Sequence, residues 1–231
     1  MEALVELNAD FSRKARVLDA DNPWRASPSA GVDRKMLDRI GDEVARATTI
    51  VRFAEGSRFP PHTHGGGEEF IVLEGVFQDE HADYPVGSYV RNPPTSRHTP
   101  RSEPGCAIFV KLWQFDPADR QHVVVDMTAQ SLTADPARPG VELAMLYEDA
   151  FERVRKERWA PGAAVTVDTR GGAEFLVLSG SVRDGNETLG PRDWVRLPDG
   201  AAGVFEAGSE GAEIWIKTGH VIHARPPQAA A

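Results

Sequence analysis

Apolar and polar residues alternate along this chain in short runs punctuated by Gly and Pro. GVDRKMLDRIG (31–41) and EVARATTIVRF (43–53) read as two strands around Gly41-Asp42, a hairpin signal. VFQDEH, GSYVRNP and GCAIFVKLWQF follow as further strand-like runs, each bounded by turn residues. No long window carries the 3.6-residue period of a helix. The pattern predicts an all-β protein built from short antiparallel strands.

The pattern then returns. VVVD (123–126) echoes RVLD (16–19), GVELAML (140–146) echoes GVDRKML (31–37), and ERWAPG (157–162) echoes VRFAEG (51–56). EFLVLSG (174–180) repeats EFIVLEG (69–75), DWVRLP (193–198) repeats SYVRNP (88–93), and GAEIWIK (211–217) repeats GCAIFVK (105–111). Six segments recur in order at offsets of 105 to 109 residues. That is too long for a solenoid unit and right for a duplicated domain. The sequence therefore divides into two β-domains in tandem, 1–118 and 119–231, with a junction in DPADRQH (116–122).

Composition narrows the function classes. The 41% hydrophobic content is ample for a core, and 17 Pro with 21 Gly favour turns over long helices. A net charge of −9 with scattered Lys and Arg argues against nucleic acid as a partner. No apolar run approaches the ~20 residues of a membrane span, and MEALVELNADFSRK lacks the apolar centre of a signal peptide. A cytoplasmic protein is the expectation, with a homodimer left open. One cysteine permits no intramolecular disulfide; Cys106 sits in an apolar strand and reads as a small buried hydrophobe.

Candidate chemistry concentrates in GSRFPPHTHGGGEEFIVLEG (56–75). His62 and His64, two apart on a strand, point to one face. Gly65, Gly66 and Gly67 allow the positive φ angles of a sharp reversal, after which Glu68 or Glu69 returns a carboxylate toward the rings. His98 arrives beyond another Gly/Pro-rich reversal. Three imidazoles and one carboxylate suit Zn, Fe, Mn, Ni or Cu. His81 reads as solvated in a surface turn, and His220 and His223 face opposite ways near the tail. Trp159, Trp194 and Trp215 read as core of the second barrel.

These residues carry a resemblance. Gly56-x5-His62-x-His64-x3-Glu68-x6-Gly75 matches the first cupin motif, and Gly87-x5-Pro93-x4-His98 resembles the second with two extra residues before the histidine. GGGEEFIVLEG, FQDEHADYPVGSYVRNPP and GCAIFVKL resemble the cupin domain of ChrR-type anti-sigma factors. The resemblance implies two cupin barrels (double-stranded β-helix, or jelly roll) and one divalent metal held by His62, His64, Glu68 and His98. Zn is the first choice, with Fe(II), Mn and Ni open. The duplication agrees on the glutamate: Asp168, Arg170 and Ala173 stand where the first repeat has His62, His64 and Glu68, Gly203 falls close to His98's place, and Glu174 matches Glu69. The second barrel is then a degenerate copy without metal ligands.

Three functions follow as expectations. The first is a regulatory, stress-response or structural zinc protein like the ChrR cupin. Its relatives' anti-sigma activity uses a separate His/Cys zinc domain, which a chain whose one cysteine is Cys106 is not expected to share. The second is a cupin-type metal dioxygenase acting on a small diketone-like or aromatic substrate. The third is a small-molecule binding protein. No residue outside the ligand set announces itself as a base or nucleophile, so the sequence leaves open whether the chain is an enzyme.

Overall fold

A two-residue side-chain period puts every second residue of a strand on the same face, and the apolar runs use it to build barrel interiors. The computed structural model describes residues 5–41 and 44–225. Val32–Gly41 pairs with Ala45–Phe53, which pairs with Cys106–Leu112, which pairs with Glu68–Gln78, then Ser88–Asn92, all antiparallel. The first hairpin stays paired as far as Gly41 opposite Ala45; its tip residue Asp42 lies outside the described residues. Among the described residues, the one helical turn is the 3-10 segment Asp19–Asp21. None is long and apolar enough to cross a membrane.

The chain forms two compact units. In the first, Val32, Phe53, Phe70, Val72, Phe77, Val90, Ile108 and Val110 form one buried cluster, with Phe53 and Phe77 edge to face at 5.7 Å. In the second, the order is Val141–Glu148, Arg153–Trp159, Val204–Thr218, Ala173–Asp184 and Trp194–Leu197. Trp159, Phe175 and Phe205 stand at the centre of its cluster. Trp194 and Trp215 are buried as well.

The register repeats between units. Leu112 and Lys111 stand opposite Glu68 and Glu69; Thr218 and Lys217 stand opposite Ala173 and Glu174. One glycine device repeats too. A Cβ at Gly75 would lie 1.9 Å from the Gly105 carbonyl oxygen, and one at Gly180 would lie 2.1 Å from that of Gly211. Any side chain there would force the two strands apart, so the turn glycine of the motif is fixed by close approach as well as by its φ of +64°.

The units depart from the contiguous division at 118/119. Unit 1 contains Pro23–Thr128 and unit 2 contains Asp10–Asn22 with Ala129–His223. Ala15–Val17 pairs with Trp194–Leu197, while Val123–Asp126 pairs with Ser88–Asn92. The two matching segments RVLD and VVVD have thus exchanged barrels. Both offer a short strand to the corresponding edge position.

Candidate metal centre

The centre forms where two short strands meet a long one. His62–Thr63 pairs with Arg97–His98, placing His98 directly opposite His62. His64 follows on the same face as His62, and its backbone is tied to the second loop by hydrogen bonds from His64 N–H to the Ser96 carbonyl and from Thr95 N–H to the His64 carbonyl. Glu68 opens the Glu68–Gln78 strand. One ligand atom from each of His62, His64, Glu68 and His98 lies within 4.8 Å of all the others. The structure brings all four together.

The glycine turn works differently from its sequence reading. Of its three glycines only Gly67 has a positive φ, +79°. Gly65 and Gly66 are small because the Trp113 indole lies on them: a Cβ at either would come within 2.7 or 2.5 Å of its ring. Trp113 itself is held at φ +60°, with its N–H donating to the Gly67 carbonyl. The indole thus clamps the turn that delivers Glu68.

Glu68 and Glu69 diverge as strand periodicity requires. Glu68 Oε2 stands 3.4 Å from His64 Nε2 and 3.5 Å from His98 Nε2, and it accepts a hydrogen bond from Asn92 Nδ2 at 3.1 Å. Glu69 faces away, accepting from the Tyr89 hydroxyl at 2.5 Å and lying 3.6 Å from Arg91.

Each imidazole is held through its Nδ1. His62 Nδ1 meets the Pro60 carbonyl at 3.0 Å, His64 Nδ1 the Ser96 hydroxyl at 2.9 Å, and His98 Nδ1 the Asp79 carboxylate at 3.2 Å. A carbonyl and a carboxylate only accept, so the proton of a neutral His62 or His98 sits on Nδ1 and its Nε2 presents a lone pair. The Nε2 atoms of His62 and His64 face each other at 3.2 Å, and His98 Nε2 is buried without a hydrogen-bond partner. Ligand atoms about 2.1 Å from a common ion stand about 3.0–3.4 Å apart for angles between 90° and 109°. The His62–His64 and His64–Glu68 separations of 3.2 and 3.4 Å fall in that range, and converging lone pairs beside a carboxylate fit a divalent cation.

The local charges agree. Burial pushes the His64 pKa down, against the attraction of Glu68. Burial alone would raise Glu68, but His64, His98 and the Asn92 amide hold it below the usual carboxylate range. Burial would lower His98, yet the Asp79 hydrogen bond and the Glu68 charge outweigh it and raise it. Asp79 is 5% exposed and takes the His81 and Ala82 N–H groups on its Oδ1 at 2.8 and 3.0 Å. Its other oxygen is thereby aimed at His98. Sequence reasoning passed over Asp79, Asn92, Ser96 and Trp113. Only Asp79 left a signal, as the acid that opens the DEHADYP turn.

A cavity of about 310 Å³ adjoins the cluster. His62, His64 and Glu68 line it, together with Val51, Phe53, Phe59, Phe77, Val110, Leu112 and Trp113. His81 is exposed, as expected of a surface turn. In the second unit Asp168 and Arg170, at the repeat positions of His62 and His64, form an exposed ion pair at 2.7 Å. His220 is buried there, 3.2 Å from Glu174.

Residues 12–116 match the family model described as the ChrR Cupin-like domain. No curated protein sequence matches the chain. Among solved structures, protein Ylba from Escherichia coli is 16% identical, with a TM-score of 0.65 and 90% of this chain and 91% of that one covered. A Bacillus subtilis oxalate decarboxylase mutant, OxdC, is 11% identical with a TM-score of 0.62, covering 89% of this chain and 76% of that one. The E. coli pirin YhhW, solved with nickel(II), is 13% identical with a TM-score of 0.61 and coverage of 89% and 98%. Identities this low speak to fold alone. With the repeated register they show a duplicated cupin fold, and the segment 12–116 is similar to the ChrR Cupin-like domain.

Proposed function

We propose that the first barrel is a mononuclear divalent-metal centre, held by His62, His64, Glu68 and His98, that receives a small organic molecule beside the ion. The cavity is the observation that carries this reading. A structural zinc site is closed by its four protein ligands, whereas three of these four residues also form the wall of a space of about 310 Å³, the lower end of the usual ligand-site range. When bound, the metal supplies a Lewis acid and, if iron or manganese, a redox partner. The protein's part is separate. Pro60, Ser96 and Asp79 orient the three rings; Asn92 orients the carboxylate; Phe53, Phe59 and Phe77 keep the adjoining space apolar.

This geometry supports a dioxygenase-type reaction on a small diketone-like or aromatic substrate over a closed zinc site. A second reading, a zinc centre that regulates by binding its ligand, is favoured by the ChrR Cupin-like match over 12–116. Metal analysis of protein purified without added metal or chelator tests both. One iron per chain with exchangeable water supports the oxygenase, and one zinc supports the regulator. Absence of any stoichiometric metal, with no uptake of Co(II) by the apoprotein, overturns the centre itself.

A further inference from the structure

Trp113 is the one aromatic side chain of the cavity wall without a ring partner among the described residues. Phe53 stands edge to face with Phe77 at 5.7 Å, Phe59 with His62 at 5.3 Å, and His64 with His98 at 4.6 Å. The indole lies over the glycine turn. A Cβ at Gly65 would meet its Cζ2 and Cη2 at 2.7 and 3.2 Å, and one at Gly66 would meet Cδ2 and Cε3, both at 2.5 Å. Two successive glycines therefore lie against one side of the fused rings. Trp113 also lines the cavity, beside Gly65 and Gly67. The side turned away from the glycines is what an occupant meets.

The repeat shows what this position asks of the backbone. Trp113 follows Leu112 as Gly219 follows Thr218, and the register sets Leu112 opposite Glu68 and Thr218 opposite Ala173. Each donates its N–H to the carbonyl of a turn glycine, Trp113 to Gly67 and Gly219 to Gly172. Each has a positive φ, +60° and +90°. A left-handed backbone is cheap for glycine and costly for a residue with a Cβ. The second barrel meets the requirement with glycine, and the first meets it with an indole. Strained backbone of this kind collects at ligand-binding positions. Bracing the turn accounts for only one face of the ring.

We propose that the ligand of the first barrel carries an aromatic ring, and that this ring stacks on the cavity side of Trp113. Aromatic pairs, offset or edge to face, contribute beyond the area they bury. The walls of Phe53, Phe59 and Phe77 suit the same ring, and its substituents share the space with His62, His64 and Glu68. Trp113 is then a specificity-determining residue, touching the ligand on one side and the turn before Glu68 on the other. The proposal rests on the metal-centre reading above and names the class of molecule that centre receives.

The test is an NMR titration of the Zn(II)-loaded full chain with benzyl alcohol and with cyclohexylmethanol. Both carry the same hydroxymethyl group, so any contact with the metal is common to the two. The expected result is intermolecular Overhauser contacts from the benzyl ring protons to the Trp113 indole, whose resonances are assigned by comparison with Trp113→Phe. In Trp113→Gly, which installs the second barrel's own residue, the ratio of benzyl to cyclohexyl affinity should fall about twofold to tenfold. Trp113→Phe should lie between the two. Ring contacts confined to the phenylalanines, with none to the indole, overturn the proposal without any variant. An unchanged ratio in Trp113→Gly overturns it as well, as does failure of benzyl alcohol to bind. Zn(II) uptake, read separately by chelator competition, keeps the readings apart. If Zn(II) binds and the saturated alcohol binds equally well, the metal centre and its cavity stand while the aromatic ligand falls; loss of Zn(II) uptake by the natural protein removes the centre itself.

Discussion

Asp79 offers the most direct test of how this barrel prepares its imidazoles. It touches none of the other three predicted ligands, yet its Oδ2 receives His98 Nδ1 at 3.2 Å while its Oδ1 caps the turn at His81 and Ala82. Asp79→Asn keeps the shape and removes two acceptor lone pairs. If the amide oxygen stays on the turn, the NH2 group confronts His98 Nδ1–H, and the ring must shift its proton to Nε2. That nitrogen then donates where it should coordinate. If the amide turns over, its NH2 confronts two backbone donors instead. The first arrangement turns a coordinating nitrogen into a donor and the second leaves two backbone donors without their acceptor, at a cost of about 1–3 kcal/mol for each group left unpaired. Removing an orienting partner of a metal-bound histidine typically weakens metal affinity about 10–100-fold, or roughly 1.4–2.7 kcal/mol at 25 °C. Chelator competition with Zn(II) or Co(II) measures this, with thermal unfolding of the metal-free protein run alongside. The expected result is a loss of affinity in that range, larger than the loss in Ser96→Ala, whose hydroxyl is a weaker anchor for His64. Metal affinity equal to that of the natural protein, with an intact fold, would refute the claim that Asp79 sets the His98 proton.

The remaining predictions follow from the same geometry. Glu68→Gln should cost at least tenfold in metal affinity, whereas Glu69→Gln, on the outer face with Tyr89 and Arg91, should lower thermal stability and leave metal titration unchanged; the reverse would mean the strand faces are misassigned. Glu157 is fully buried and accepts from Arg138 twice, Arg155 and Trp159 Nε1. Glu157→Ala should cost about 3–5 kcal/mol by stranding buried cations, read by urea unfolding; a loss below about 1 kcal/mol would show the network to be dispensable. Burial pushes the Cys106 thiol up to about 11 from an unperturbed 9.0. The folded state therefore disfavours the thiolate, so stability from this group is intact below pH 9 and lost as pH climbs toward 11. Iodoacetamide at pH 8 should label Cys106 only on unfolding; rapid labelling of folded protein would contradict its burial.

Much of this was legible in the sequence because strands have a period of two. That period separated Glu68 from Glu69, and the EF(I/L)VL repeat placed Glu174 beside the latter; the matching Lys111 and Lys217 registers bear out the alignment. The triple glycine was legible as a turn but not in its cause. A sequence shows that residues 65–67 have no side chains, not that the Trp113 indole occupies the space beside Gly65 and Gly66 and the Phe115 ring the space beside Gly67. The strand exchange was invisible for a related reason. RVLD and VVVD are nearly the same strand, and nothing in either states which barrel edge it joins. Asp79, Ser96 and Asn92 were passed over because orienting a ligand takes one hydrogen bond, which many polar loop residues could supply.

Duplication also sets the two interiors side by side for comparison. Phe53 and Val51 pair with Cys106 and Ile108 in the first barrel; Trp159 and Glu157 pair with Ala212 and Ile214 in the second. The same positions of the same sheet therefore carry a phenylalanine and a valine in one copy, and an indole with a buried carboxylate in the other. Two further arginines converge on that carboxylate, Arg155 from the same strand and Arg138 from the preceding loop. In the second barrel, the hydrogen bonds around Glu157 and the packed rings of Trp159, Phe175 and Phe205 occupy these positions. In the first, lone pairs of three histidines converge on a carboxylate beside an open apolar wall, an arrangement that packs poorly and stays electrostatically unsatisfied without a cation. A chain can carry such a site where the rest of the fold supplies the stability, and strain of this kind collects at functional positions. The same strand positions thus border a His/Glu cluster and a cavity in one copy and carry a buried ion network in the other.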